Sequence, residues 1–224
     1  MRLRIVLLAL LAGLGDGGVA EAAPGYEILF REGVLDGMAE GSELAYSVAR
    51  AGRSAPERAG EAPLAGSPQA LVLALRPGDE VELTVEDGQH RQQAGRFPAS
   101  VGNPLIMYFL ETVLRDMANQ AGGSPFYIRN RIKEAMLAEA EVRPVTLSLA
   151  GGETVTGQEL VLHPFAEDAA RDRMAGFADL AITAQVSDAV PGWYYTLRAS
   201  APAPDGSDGP GYTNAITFVP GAAE

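Results

Sequence analysis

The stretch GNPLIMYFLETVLRDMANQAGGSPFYIRNRIKEAM, residues 102–136, decides the fold. Asn103 and Pro104 predict a helix start, because asparagine caps free amide groups and proline is tolerated at the first helical position. Gly122 and Gly123 predict the end of that helix, since glycine readily adopts the left-handed conformation that closes a helix. A helix is therefore predicted between these two signals.

A second helix is predicted to follow almost at once. Ser124 and Pro125 repeat the start signal, and Pro144 is expected to stop this helix. Both helices carry apolar residues at the spacing of one helical face. These residues are Ile106, Phe109, Leu110, Val113, Leu114 and Met117 in the first helix, and Ile128, Ile132, Ala135 and Met136 in the second. We expect an αα-hairpin with a very short loop at about residues 104–140.

Segments on both sides of the hairpin alternate apolar and polar residues, which is typical of strands with one buried face. Before the hairpin, the predicted strands are 26–31, 43–50, 71–75, 80–86 and a polar, edge-like strand at 90–97, with a loop at 53–68. After it, they are 145–149, 154–165, 180–186, 193–198 and 212–219. This order predicts an α+β fold, in which a curved antiparallel β-sheet or half-barrel is covered by the mid-chain helical hairpin.

The first residues have the pattern of a signal peptide. Arg2 and Arg4 form a short basic start, residues 5–14 are almost entirely apolar, and residues 20–22 read Ala-Glu-Ala, a spacing that a signal peptidase recognises. We expect residues 1–22 to be removed and the mature chain to be periplasmic or secreted. The apolar run is shorter than the roughly 20 residues of a membrane span, so no transmembrane anchor is expected.

The remaining residues, 23–224, are expected to form a single domain, because a chain of this length buries enough apolar surface in one core. The chain has no cysteine, which excludes a disulfide framework and a lipid-modified cysteine. Its net charge of −12 disfavours nucleic acid as a partner, because a phosphate backbone would be repelled.

Common catalytic signatures are absent from the sequence, which has no HExxH, P-loop or GxSxG motif and no GxGxxG after a strand. The two histidines, His90 and His163, are interpreted as a solvated turn residue and a strand-end residue rather than as bases. No catalytic residue, cofactor or metal ligand is therefore assigned, and an enzyme is the less favoured interpretation. A hydrolase that uses carboxylates such as Glu111 or Asp116 is the weakest alternative.

Two charged sets have both a functional and a structural interpretation. The acidic set is Glu80, Glu82, Glu86 and Asp87. Carboxylates of this kind bind calcium, but period two explains them as the exposed face of a strand, and we favour that interpretation. The basic set is Arg129, Arg131 and Lys133 on the second predicted helix, with Arg115 on the first. It is a candidate contact for an anion, although pairing with carboxylates on a solvated hairpin is the favoured interpretation.

A third set is rich in aromatic side chains and methionine. It comprises Met107, Tyr108, Phe109, Phe126, Tyr127, Trp193 and Tyr195, with Met136 and Tyr194 beside them. Trp193 and Tyr195 are expected to share one face of their strand with Leu197. Core packing is the ordinary role of such residues. A curved sheet under a helical lid can also leave an apolar cavity lined by them, which makes the first seven candidate ligand-binding residues.

Two segments carry a resemblance to known proteins. Residues 102–136, quoted above, and VSDAVPGWY, residues 186–194, resemble secreted alphaproteobacterial proteins of uncharacterised function. The order of leader, strands, helical pair and strands is similar to that of exported bacterial domains of the lipoprotein-carrier-like (LolA/LolB-like) type. This resemblance implies a half-barrel with a helical lid, and it identifies no functional residue.

Three functions remain open from the sequence. The first is a non-catalytic exported binding or carrier domain for an apolar or amphipathic, lipid-like ligand. The second is a cell-envelope interaction or assembly protein, in which the core is filled and the surface binds another envelope protein. The third and weakest is the carboxylate-dependent hydrolase.

Overall fold

The computed structural model describes residues 24–52, 69–88, 90–138, 140–149, 151–204, 206 and 210–221. Within them lie three α-helices: α1 (Pro24–Leu29), α2 (Leu105–Gln120) and α3 (Pro125–Leu137). The strands are β1 (Glu43–Ala51), β2 (Gln69–Arg76), β3 (Glu80–Asp87), β4 (His90–Pro98), β5 (Glu141–Ser148), β6 (Thr154–Leu162), β7 (Ala181–Val186), β8 (Tyr194–Ala201) and β9 (Tyr212–Val219). The predicted leader and the predicted loop at 53–68 lie outside the described residues.

All nine strands belong to one open antiparallel sheet with the order β4-β3-β2-β1-β9-β8-β7-β6-β5. The chain runs outward from β1 to β4, passes through α2 and α3, and starts again at the opposite edge with β5. From there it returns strand by strand to β9, which pairs with both β1 and β8. The prediction of an antiparallel sheet interrupted by two mid-chain helices is therefore confirmed.

The alternating sequence pattern explains how β2 and β3 bury one face. Leu73 lies opposite Leu83 in the antiparallel register, and neither side chain is accessible to solvent. The pairing of β3 with β4 shifts at Leu83 and Thr84, because Leu83 lies opposite Gly95 and Thr84 opposite Gln93. Ala94 is therefore the extra residue of a β-bulge on β4.

Helix α2 begins where the sequence predicts, because the Asn103 side chain accepts a hydrogen bond from the Leu105 backbone N–H at 3.0 Å. It ends before Gly122 and Gly123, which both take left-handed φ angles, 79° and 94°. Its buried residues are Leu105, Ile106, Phe109, Val113, Leu114 and Met117, and those of α3 are Ile128, Ile132 and Met136. The predicted helical faces are therefore largely the buried ones.

The sequence prediction of a strand at 26–31 is wrong, because α1 occupies most of this segment. Residues 28–30 are a short apolar run, Ile-Leu-Phe, which by itself does not distinguish a strand from a helix. The two backbone carbonyls at the end of this short helix have side-chain donors. Trp193 Nε1 donates to the Ile28 carbonyl at 2.9 Å, and the Tyr194 hydroxyl donates to the Leu29 carbonyl at 2.5 Å.

Two smaller predictions are also wrong. Pro144 does not stop α3, which ends at Leu137; it lies within β5, an edge strand where the missing amide is tolerated. The face shared by Trp193, Tyr195 and Leu197 is not observed either. The pairing of β7 with β8 passes over Tyr195, which is the extra residue of a bulge.

Within the described part of the chain, none of the helices combines the length and the hydropathy that a membrane crossing requires.

Candidate ligand-binding recess

A recess of about 360 Å³ lies between α1, the end of β4 and the first turn of α2, and we call it the α1–α2 recess. Most of its lining is apolar or aromatic. These residues are Tyr26, Phe30, Phe97, Val101, Pro104, Ile106 and Met107. Asn103 and Tyr194 form its polar floor, and Arg31 and Glu32 also line it. The volume is in the lower part of the range of small-molecule sites, roughly 300–1,000 Å³.

Local structure places the wall residues. Tyr26 and Phe30 are four residues apart, and their rings stack with centroids 4.9 Å apart. Met107 lies on the first turn of α2, and its side chain is 55% exposed. Val101 ends the short 3-10 helix before α2 and is also exposed. Large apolar side chains of a folded protein seldom cluster in contact with solvent without a role, so this wall is a candidate binding surface.

The polar groups of the floor already have partners within the protein. The buried Asn103 amide donates to the Gly192 carbonyl at 2.8 Å and to the Tyr46 hydroxyl at 3.2 Å. Its oxygen accepts the Leu105 N–H described above. The Tyr194 hydroxyl donates to the backbone of α1. A molecule in the recess therefore meets few open donors or acceptors at the bottom.

The two phenols near the floor stay protonated at neutral pH. Burial raises the pKa of Tyr46 far above its ordinary value, although the hydrogen bond from Asn103 opposes this shift. Burial likewise raises the pKa of Tyr194, and its proximity to Tyr46 adds to the effect. These hydroxyls act as hydrogen-bonding groups of the fold rather than as bases.

Two charged residues lie at the rim. The Arg31 guanidinium lies over the Trp193 ring, 4.2 Å from its centroid, and pairs with Asp188 at 2.8 Å. Glu32 follows in the chain and is exposed. Gly102 holds this segment close to α2: a Cβ on it would lie 2.5 Å from the Arg31 carbonyl oxygen.

The structure separates most of the predicted ligand-binding residues. Met107 alone of the seven lines the recess. Phe109, on the same helix, is completely buried in the core, and Tyr108 is partly buried. Trp193 is buried beneath the Arg31 guanidinium and does not line the recess.

The other three candidates lie elsewhere. Phe126 is 69% exposed at the start of α3. The Tyr127 hydroxyl donates to the buried Asp168 carboxylate at 2.6 Å, and this contact raises the pKa of Tyr127. The Tyr195 hydroxyl donates to the Ser148 carbonyl at 2.7 Å, which ties β8 to the end of β5.

The predicted basic set is partly paired in the hairpin. Glu111 on α2 pairs with Arg115 at 3.4 Å and with Arg129 of α3 at 3.2 Å, so one carboxylate links the two helices. Lys133 is exposed on α3.

The second hydrolase candidate, Asp116, accepts a hydrogen bond from the Tyr212 hydroxyl at 2.8 Å, and burial raises the pKa of this carboxyl group.

The acidic set on β3 is matched by arginines from neighbouring strands. Glu82 pairs with Arg76 at 3.1 Å and with Arg96 at 3.0 Å. The hydrogen bond from Arg76 contributes most to lowering the pKa of Glu82. Glu80 pairs with Arg96 at 3.4 Å, and Glu86 pairs with Arg91. These contacts are those of an ion-paired sheet surface.

A larger depression of about 460 Å³ lies where β8 ends and β9 begins. It is more open, and its lining consists mainly of alanine, glycine, proline, serine and threonine together with Asp179 and Tyr212. Small side chains offer little apolar contact area. The α1–α2 recess is therefore the better candidate.

Comparisons with protein-family models, with curated proteins and with solved structures found no match. The candidate site consequently depends on its own geometry. The sequence reasoning missed Tyr26, Phe30 and Phe97 because the first two were assigned to a strand and the third to a polar edge. Their spacing of four residues is the signal that could have placed Tyr26 and Phe30 on one helical face.

Proposed function

We propose that the protein is a non-catalytic binding or carrier domain for an apolar or amphipathic small molecule, held in the α1–α2 recess. The observation that carries this proposal is an open recess of about 360 Å³ whose walls are apolar while its floor groups are already hydrogen-bonded. Such a surface gains free energy mainly by removing apolar area of a ligand from water, at roughly 25 cal/mol per Å².

Export and a cover formed by the helical hairpin belong to the same proposal. The basic start and the apolar run at 5–14 support a leader and a periplasmic or secreted protein. Contacts between α2 and β9 support the hairpin as a cover over the sheet. The Asn214 amide donates to the Thr112 hydroxyl at 3.0 Å, next to the contact between Tyr212 and Asp116. The half-barrel resemblance agrees with both and stays a prediction.

A pair of substitutions tests the recess with the neutral apolar dye N-phenyl-1-naphthylamine. Met107→Gln keeps the side-chain length and helix propensity but places an amide in the wall, and we expect it to weaken dye binding about tenfold. Phe126→Gln is the matched control, an equally polar change at an exposed helical residue outside the recess. Fluorescence titration measures both. Equal effects of the two substitutions, or a wild-type protein that does not bind the dye, would contradict the proposal.

Native mass spectrometry of gently purified protein gives a second measurement. A carrier is expected to retain a hydrophobic molecule, whose mass appears as an adduct that organic extraction removes. The Met107→Gln variant should carry less of it than wild type. Unliganded protein in both preparations would count against a tightly held ligand.

An envelope interaction protein remains the second candidate function. Exposed apolar side chains on α3 and β5 favour it, since Phe126, Leu137 and Val142 are 69%, 51% and 37% exposed. Such residues are typical of protein contact surfaces when they form one patch. Crosslinking in cells distinguishes the two functions: a partner lost on Phe126→Ser with Leu137→Ser, but not on Met107→Gln, would favour this candidate.

A further inference from the structure

We propose that the ligand of the α1–α2 recess is a cationic amphipath, an apolar chain carrying an ammonium-type head group that lies at the rim beside Glu32. This inference rests on the proposed function and deepens it by assigning the chemical class of the ligand. Three observations carry it: the satisfied floor, the balance of charges at the rim, and the aromatic walls.

The polar end of a ligand belongs at the rim because the donors of the floor are already used within the protein. Asn103 uses its amide on Gly192 and Tyr46 and its oxygen on Leu105. The Tyr194 hydroxyl is used on the carbonyl of Leu29. A charged head group placed there would lose hydration without compensation, which costs several kcal/mol. The apolar chain therefore occupies the interior and the head group stays near solvent.

The charges at the rim favour a positive head group. Arg31 is engaged on two sides, by the Asp188 carboxylate at 2.8 Å and by the face of Trp193. Glu32 takes part in none of the ion pairs observed among the described residues. Arg31 and Glu32 are the charged residues of the lining, and Asp188, which lies outside the lining, neutralises Arg31. Glu32 is then the lining charge that an observed ion pair does not balance. An anionic head group would have to compete with Asp188 for Arg31.

The aromatic walls and the negative net charge of the protein also favour a cationic head group. Tyr26, Phe30 and Phe97 present aromatic rings, whose negative faces attract quaternary and primary ammonium groups. The net charge of −12 raises the local concentration of cations around the protein and lowers that of anions. Both effects are smaller at high salt, because screening shortens the range of the field.

The test uses the purified full chain and three probes with the same decyl chain, titrated by calorimetry below their micelle concentrations. These are decyltrimethylammonium, 1-decanol and decanoate. We expect decyltrimethylammonium to bind most tightly and decanoate most weakly at low salt. The advantage of decyltrimethylammonium over decanol should shrink as salt is added.

Two charge substitutions locate the effect. Glu32→Gln is expected to weaken decyltrimethylammonium binding about three- to fivefold and to leave decanol binding unchanged, the size typical of an exposed charge interaction. Glu27→Gln on α1 is the matched control, because Glu27 is exposed and does not line the recess. It should leave the binding of both probes within about twofold of wild type.

The outcomes separate this inference from the proposed function. If none of the three probes binds, both fail. If decanol binds as tightly as decyltrimethylammonium and Glu32→Gln changes neither, the recess binds apolar chains but the cationic assignment is wrong. If decanoate binds most tightly, the assignment is also wrong, and Arg31 becomes the head-group contact.

Discussion

Gly102 shows at the residue scale how one missing side chain shapes the recess. Its φ of +85° is left-handed, and the Arg31 carbonyl oxygen lies 2.5 Å from where a Cβ would be. The same close approach brings Arg31 and Glu32 next to the start of α2. Any larger residue must move one of these two segments, so the rim depends on glycine at this position.

We expect Gly102→Ala to lower the free energy of unfolding by about 2–4 kcal/mol, through left-handed strain and steric overlap. Gly41→Ala is the control, because Gly41 has nearly the same φ of +86° but no atom near its Cβ position. It should lose only about 1–2 kcal/mol. Urea denaturation measures both variants. Equal losses of stability would show that a Cβ at position 102 does not overlap with the Arg31 carbonyl.

Asp116 is one residue whose titration makes the stability of the fold depend on pH. Burial raises the pKa of this carboxyl group above its ordinary 3.8, although the Tyr212 hydroxyl donates to it. A group with a raised pKa in the folded state stabilises the fold fully below its unfolded pKa. That contribution is lost as the pH rises through the folded pKa.

Asp116→Asn removes this titration while an oxygen that can accept from Tyr212 remains. We expect the stability of the variant relative to wild type to increase from pH 4 to pH 7, as measured by urea denaturation at both pH values. Asp172→Asn, on an exposed 3-10 turn, controls for the loss of a surface charge. A relative stability that is the same at both pH values would contradict the raised pKa of Asp116.

At the scale of elements, the two helices of the hairpin differ in how they use their aromatic residues. Phe109 on α2 is completely buried, whereas Phe126 at the start of α3 is 69% exposed. Both were candidates for ligand contact from the sequence. Only packing across the chain distinguishes them, since the buried face of α2 also meets β9 through Thr112 and Asp116.

Phe109→Ala is expected to lower the free energy of unfolding by about 3–5 kcal/mol, because it leaves a cavity in the core. Phe126→Ala should change it by less than about 0.5 kcal/mol. Chemical denaturation followed by circular dichroism compares the two. A large effect at Phe126, or a small one at Phe109, would exchange their assigned roles.

Periodicity predicted most elements of the fold, because helices and strands bury side chains at different spacings. It failed where the chain is short or irregular. The short apolar run at 28–30 was compatible with a strand, yet the segment is helical, and Trp193 and Tyr194 donate to its last carbonyls. The bulge at Tyr195 likewise reverses the alternation of side chains within β8. Neither the hydrogen bonds to α1 nor the bulge can be inferred from local sequence.

The recess was harder to predict because its walls come from distant parts of the chain. Tyr26, Phe97 and Met107 line one space, and Tyr194 closes its floor. Met107 and Tyr194 are recognisable from the sequence, but nothing in the local sequence places α1 beside them. Aromatic content alone predicted residues that the structure distributes among the core, the surface and the sheet.

At the scale of the whole molecule, the first and last strands of the described chain, β1 and β9, pair with each other. β9 lies between β1 and β8, while β4 and β5 form the edges. Opening an edge strand breaks one set of pairings, but opening β9 breaks two and separates the sheet into halves.

Hydrogen exchange followed by mass spectrometry is expected to show slowest exchange in β9, β1 and β8 and faster exchange in β4 and β5. Unfolding of the sheet should also follow one cooperative transition, because β9 belongs to both halves. Fast exchange in β9, or two separate transitions, would show that the halves are independent units.

The central place of β9 also means that the sheet is completed only when its last strand pairs. Until residues 212–219 are in place, the inner edges on β1 and β8 have no neighbour. Unpaired edges of this kind template pairing with other chains. A chain truncated before Tyr212 would therefore expose two open sheet edges, and we expect it to aggregate.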